Sequence, residues 1–404
     1  MAILPPGATA DAAVLLTTRG VRAFADGLVS VILPGYLLAV GLDGLHVGAV
    51  VAATLVGSAL LTLVVGLKGH QLRRLRVLQA AAALMAATGL GFAAVVGFPA
   101  LLLVGFVGTL NPSGGDVSVF LPTEQALLPA TAPDRERTAL FGRYSLIGST
   151  VAAFGALAAG VPSWLADRFG ASEVAAQRLT FLVYAFLGVV VGVLYRQLSS
   201  DIEPEITVGR PPLGASKRIV YGLAALFSLD SFGGGFVVQS LLALWLFRRF
   251  DLSIATAGAI FFWSGLLSGV SALLAVRIAR RIGLIRTMVF THLPANALLM
   301  LTPLMPGVVP AVACLLARSF LSQMDVPVRT SYVMAVVSPE ERPAAASVTN
   351  VPRSLAAAAA PLGAGWMLDH STFGWPLLVG GALKAIYDVL LLLAFRHVRP
   401  PEER

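Results

Sequence analysis

The residues best placed to do chemistry are charges set in stretches otherwise built for lipid. Arg19, Arg22 and Asp26 recur at i, i+3 and i+7 in one apolar run, which puts all three on one helical face. Asp230 holds a similarly central place in a later run. In a third, Arg318, Ser322, Asp325 and Arg329 stand at i, i+4, i+7 and i+11 and draw a nearly straight polar stripe. An ionisable side chain in hydrocarbon costs a few kcal/mol, so each needs a partner, a watery chamber or a task. A desolvated carboxylate can take a proton from one side and release it on the other, and Asp26 and Asp230 are read as such proton-coupling groups. The competing reading pairs Asp26 permanently with Arg22 or Arg19.

Other polar groups fill out the set. A fourth run offers Asn111, Asp116 and Glu124; Arg143, Asn350 and Arg353 follow in later ones. Lys384 and Asp388, at i and i+4, read as a local neutralising pair. Asp325 and Arg329 are spaced to satisfy each other in the same way. His292 is placed near the end of its run and is read as solvated. Candidate substrate contacts are Arg22, Tyr36, Asn111, Asp116, Phe232, Phe236, Gln239, Arg318, Asp325, Asn350 and Arg353, the aromatic members being able to stack on an apolar ligand. No His, Cys or carboxylate grouping has metal-ligand spacing, and no cofactor is implied. The single cysteine, Cys314, excludes an internal disulfide and reads as a core filler.

The elements that must hold these groups follow from composition. With 404 residues, 57% hydrophobic and 12% charged, and a mean hydropathy of +0.83, the chain has too little polar surface to coat a soluble globule. Apolar runs of roughly 18 to 28 residues recur, long enough to cross about 30 Å of hydrocarbon as helices. The reading is an all-α membrane protein of twelve spans, near 13–40, 45–67, 77–96, 99–128, 138–160, 178–197, 218–247, 254–277, 287–304, 308–336, 344–367 and 375–396. The polar stretch 198–217 separates an N-terminal six-helix bundle, 1–197, from a C-terminal one, 218–404. Lys and Arg concentrate in alternate loops, including Arg73, Arg74 and Arg76, Arg280 and Arg281, and the tail, which places both termini on the cytoplasmic side of a plasma membrane, read as a bacterial inner membrane. The net charge of +8 therefore reports orientation and implies no nucleic acid. The N-terminus lacks a basic region ahead of a short apolar core, so no cleaved signal peptide is expected.

The two bundles repeat. The stretch from Asp325 to Arg353 has an altered copy 205 residues earlier, laying Pro122 on Pro327, Arg137 on Arg342 and Gly160 on Gly365. Within one residue of that offset, Asp26 falls on Asp230. Glu124 falls on Arg329, and opposite charges at equivalent places suggest a gating bridge between bundles that breaks when a cavity opens.

Twelve spans in a six-plus-six repeat, with a polar middle linker and basic loops after spans 2 and 8, resemble the major facilitator superfamily over essentially the whole chain. The resemblance implies spans 1, 4, 7 and 10 around a central cavity, and transport by alternating access. The superfamily's loop after span 2 is degenerate: Gly66 to Arg74 carries His70 in place of the usual aspartate and Arg73 in place of the second glycine. No nucleotide-binding loop is present, so a gradient must supply the energy. The reading is proton-coupled export of small amphipathic compounds by a monomer. The alternative is uptake or exchange of an organic anion held by the arginines, and a more remote one is a membrane-embedded sensor or enzyme.

Overall fold

The computed structural model describes residues 4–68, 72–113, 118–133, 136–203, 213–214, 216–337 and 341–395. Asp116 and His70 lie outside them, as does the side chain of Arg342. The described residues are helical, with no strand among them.

The helices in order are α1 (Ala10–Ala39), α2 (Gly44–Lys68), α3 (Arg74–Ala94), α4 (Phe98–Val107), α5 (Phe120–Leu127), α6 (Arg137–Ala158), α7 (Val161–Phe169), α8 (Glu173–Tyr195), α9 (Lys217–Gly235), α10 (Gln239–Phe250), α11 (Ile254–Ile282), α12 (Leu284–Leu301), α13 (Val308–Ser322), α14 (Asp325–Ala335), α15 (Arg342–His370) and α16 (Trp375–Phe395). Each sequence-predicted span is occupied by helix, and ten described helical stretches are long and apolar enough to cross a membrane. The chain is a multi-pass integral membrane protein.

Three spans depart from single rods. Span 4 divides into α4 and α5, span 7 into α9 and α10, and span 10 into α13 and α14. The break in span 7 follows the run Gly233-Gly234-Gly235. These glycines also admit neighbours: a Cβ on Gly235 would stand 2.3 Å from the Ala357 carbonyl oxygen, and one on Gly233 3.0 Å from that of Gly380. Small residues thus let α9 lie against α15 and α16 at backbone distance, the way membrane helices gain packing energy without a hydrophobic drive.

α1 is the central rod, packed on α6 and α8 and also reaching α10 and α11. Pro34 lies inside it and lacks the N–H that would bond the carbonyl of Ser30. That carbonyl instead accepts from Ser240 Oγ at 2.7 Å, so the proline in span 1 creates the acceptor that ties it to span 7. Gln239 Nε2 adds a bond to Ser30 Oγ at 2.9 Å, and the Ser240 amide donates to the Pro112 carbonyl at 3.1 Å.

Candidate functional site in the buried ion network

Two buried ionic clusters, one in each set of six spans, dominate the interior. In the first, Glu124 on α5 is wholly buried and binds Arg22 of α1 through a short ion pair. Its oxygens also accept from Tyr144 Oη and Tyr195 Oη, each at 2.5 Å, and from Thr18 Oγ1 at 2.9 Å. The Arg22 guanidinium lies over the Phe120 ring, 4.3 Å from its centroid. A carboxylate given four donors, one of them cationic, is a satisfied buried charge.

The second cluster spreads over more helices. Asp230 on α9 receives Lys384 Nζ of α16 at 2.5 Å and Arg329 Nη1 of α14 at 3.1 Å. Arg329 also meets Asp325 at 3.3 Å and lies over the Phe227 ring at 5.4 Å. On the other side, His292 of α12 points Nε2 toward Asp230 at 3.9 Å and Nδ1 toward Asp388 at 2.9 Å. Asn296 Nδ2 donates to the second Asp388 oxygen at 2.8 Å. Four spans are joined through one carboxylate, Asp230.

The clusters are inverted copies. Span 1 presents a cation to an acid of span 4, whereas span 7 presents an acid to a cation of span 10. Glu124 and Arg329, equivalent in the repeat, each sit against the first span of their own set.

Two arginines stand apart. Arg318 on α13 is half-buried, its Nε is buried without a hydrogen bond, and the described residues give it no ion-pair partner. Among the described residues, Arg353 on α15 donates to neutral groups alone, Ser231 Oγ and Asn350 Oδ1, each at 3.1 Å. Both lie within electrostatic reach of Asp230.

Comparison with known proteins matches this arrangement to a family. The sequence model of the Major Facilitator Superfamily fits residues 15–322 and 223–404. The chain belongs to the major facilitator superfamily. A curated relative, an uncharacterized membrane protein of Saccharomyces cerevisiae, is 23% identical over 97% of this chain and 95% of its own length. Among solved structures, a bacterial homolog of the human lysosomal transporter Spinster, inward-facing and unoccupied, aligns with a TM-score of 0.71 at 14% identity, covering 96% of both chains. The nucleoside transporter NupG aligns with a TM-score of 0.71 at 14% identity over 96% of this chain and 100% of that one. These likenesses show the superfamily fold, and the protein is a secondary transporter of that superfamily.

Within that frame, the three divided spans are 4, 7 and 10, and the fourth lining span carries Pro34. Arg22 bonds Glu124, and Asp26 has Asn111 Nδ2 at 3.5 Å. Other expected partners change. No Glu124–Arg329 bridge is formed in this conformation, because each group is held within its own set of spans. Lys384 and Asp388 do not neutralise each other: Lys384 crosses to Asp230 and Asp388 is held by α12. His292 is buried rather than solvated. Tyr36 is also withdrawn from any ligand: it is fully buried, its hydroxyl donates to the Phe92 and Val95 carbonyls, and its ring packs edge-on against Phe181. Phe232 and Phe236 form a T-shaped pair, 5.4 Å between centroids, at the break in span 7. Asp325 and Arg329 meet as expected. Cys314 is half-buried, and no metal-binding group of His, Cys, Asp or Glu occurs among the described residues.

Reading spans one at a time missed His292, Asn296 and the tyrosines of the Glu124 cluster. Tyr144 and Tyr195 carried the available signal, being phenols inside apolar runs that require an acceptor.

Proposed function

We propose that this transporter moves a small organic anion by alternating access, coupled to protons through the Asp230 network, with Arg318 and Arg353 holding the anionic group. One observation carries the substrate class. Asp230, Asp325, Asp388 and Glu124 each have cationic or hydrogen-bonding donors, whereas Arg318 and Arg353 have no ion-pair partner among the described residues. Desolvated guanidinium groups are the residues of choice for carboxylate or phosphate, which they bind bidentately. Asp230 supports the coupling assignment: as a carboxylate it holds Lys384 and Arg329, and once protonated it would release both. Asp26, beside Asn111, is its counterpart in the first six spans.

Purified protein screened by thermal shift should be stabilised by organic carboxylates or phosphates, and Arg318→Gln or Arg353→Gln should remove that stabilisation. Stabilisation by lipophilic cations alone would sink the anion assignment. Export of amphipathic compounds is the second reading, favoured by the Phe232–Phe236 pair. In liposomes, an imposed proton gradient should drive flux of the stabilising compound, and Asp230→Asn should abolish the gradient dependence while binding persists. Unchanged coupling in both Asp230→Asn and Asp26→Asn would remove the proton assignment.

A further inference from the structure

We propose that Asp369 and Arg248 are gating residues that lock the first six spans to the last six at the end of the bundle away from the chain termini. Asp369 lies in the last turn of α15, where an acid is disfavoured by the negative end of its own helix. Its placement is accounted for by another helix. The Asp369 carboxylate accepts from the Gly44 amide at 2.6 Å and the Leu45 amide at 2.5 Å, the first two amides of α2. Those are donors that a helix N-terminus leaves unmatched, at its positive end.

The remaining contacts complete the clasp. Asp43 Oδ1 accepts from the His46 amide at 2.9 Å, so α2 receives one cap from its own chain segment and a second from α15. Arg248, at the end of α10, donates from Nη1 to Asp369 Oδ1 at 2.6 Å and to the Leu368 carbonyl at 2.9 Å. It neutralises the acid and satisfies the end of α15 together. A Cβ on Gly44 would stand 2.8 Å from both Arg248 Nη1 and Asp369 Oδ1, so a side chain there would displace the clasp. Just inside, Gly48 and Gly365 face each other, a Cβ on either lying 3.0 Å from the Cα of the other.

This is a charge-assisted joint across the two sets of spans, at the N-terminal end of α2. In an alternating-access cycle it must form when this end closes and part when it opens. That consequence rests on the transport reading, whereas the joint does not.

The test is a pair of distances in the purified full chain with Cys314→Ser. One pair of spin labels goes at Phe169→Cys and Val309→Cys, exposed sites on opposite sets of spans at the locked end. A second pair goes at Gln79→Cys and Arg281→Cys, exposed toward the other end. With Asp369→Asn, a longer population should appear for the first pair and a shorter one for the second. The closed-to-open ratio should fall about tenfold, near the worth of one charge-assisted bond. Arg248→Gln should move both distances in the same directions. Ser253→Ala removes a cap that lies wholly within the last set, the Oγ that accepts from the Thr256 amide at the start of α11, and should leave both distances unmoved. Unchanged distances in Asp369→Asn and Arg248→Gln, or an equal shift in Ser253→Ala, would overturn the lock. No substrate is needed, so a moved distance without gradient-driven flux keeps the lock and removes the transport reading.

Discussion

Arg22 and Glu124 show why a buried ion pair should be read together with everything that touches it. Removing one partner strands the other in a low-dielectric interior, whereas replacing both by apolar groups of similar size need not cost stability. Arg22→Ala should therefore destabilise the protein by about 3–5 kcal/mol, and Arg22→Met with Glu124→Leu should recover part of the loss despite the stranded tyrosine hydroxyls. Thermal unfolding in detergent checks both, and an Arg22→Ala protein as stable as the parent would mean that the tyrosines alone hold Glu124. Residue types in this site were legible in the sequence, since any charge inside an apolar run requires an explanation. Partners were not. The i, i+4 spacing of Lys384 and Asp388 fixes their shared face of α16, but which neighbour meets each is decided by α9 and α12, which local spacing does not encode. His292 was misplaced for a simpler reason: its helix begins at Leu284, so the ring lies two turns inside the span rather than at its edge.

At the scale of elements, length and apolar content were enough to find each span, and glycine punctuates one of the breaks, after Gly235. The breaks in spans 4 and 10 left weaker traces because continuous hydrophobicity does not distinguish one helix from two. What the breaks do is release backbone groups for use between helices, as the Ser30 carbonyl demonstrates. Ser240→Ala leaves that carbonyl buried without its donor and should cost about 1–3 kcal/mol. Pro34→Ala restores the internal α1 bond, so a Pro34→Ala, Ser240→Ala double variant should be less destabilised than the sum of its parts. Strict additivity in thermal melts would show that the proline and the serine act separately. Close approach is equally local in origin: Gly235→Val places side-chain atoms where the Ala357 carbonyl lies, and a loss of about 1–3 kcal/mol is expected from overpacking.

For the molecule as a whole, the repeat read from sequence has a physical counterpart in two ion clusters of inverted polarity, each centred on a carboxylate bonded within its own set of spans. The crossing contacts that the sequence did not reveal are the Ser30–Ser240 bonds and the Asp369 clasp, both made by backbone groups that carry no residue-type signal. They imply that movement of one set against the other is controlled by backbone fit at the locked end as well as by charge. A Cβ on Gly48 would stand 2.4 Å from the Pro361 carbonyl oxygen, and neither helix has a flexible side chain there to yield. Gly48→Val should thus prevent α2 from seating on α15 even though Asp369 and Arg248 remain. Flux in liposomes should fall because this end cannot close, and the label pair at Phe169 and Val309 should lengthen at least as much as in Asp369→Asn. Restoring a small residue with Gly48→Ser should recover part of both readouts. If Gly48→Val closed normally and transported at the parent rate, the tight α2–α15 seat would have no part in the cycle, and charge at Asp369 alone would have to hold the end shut.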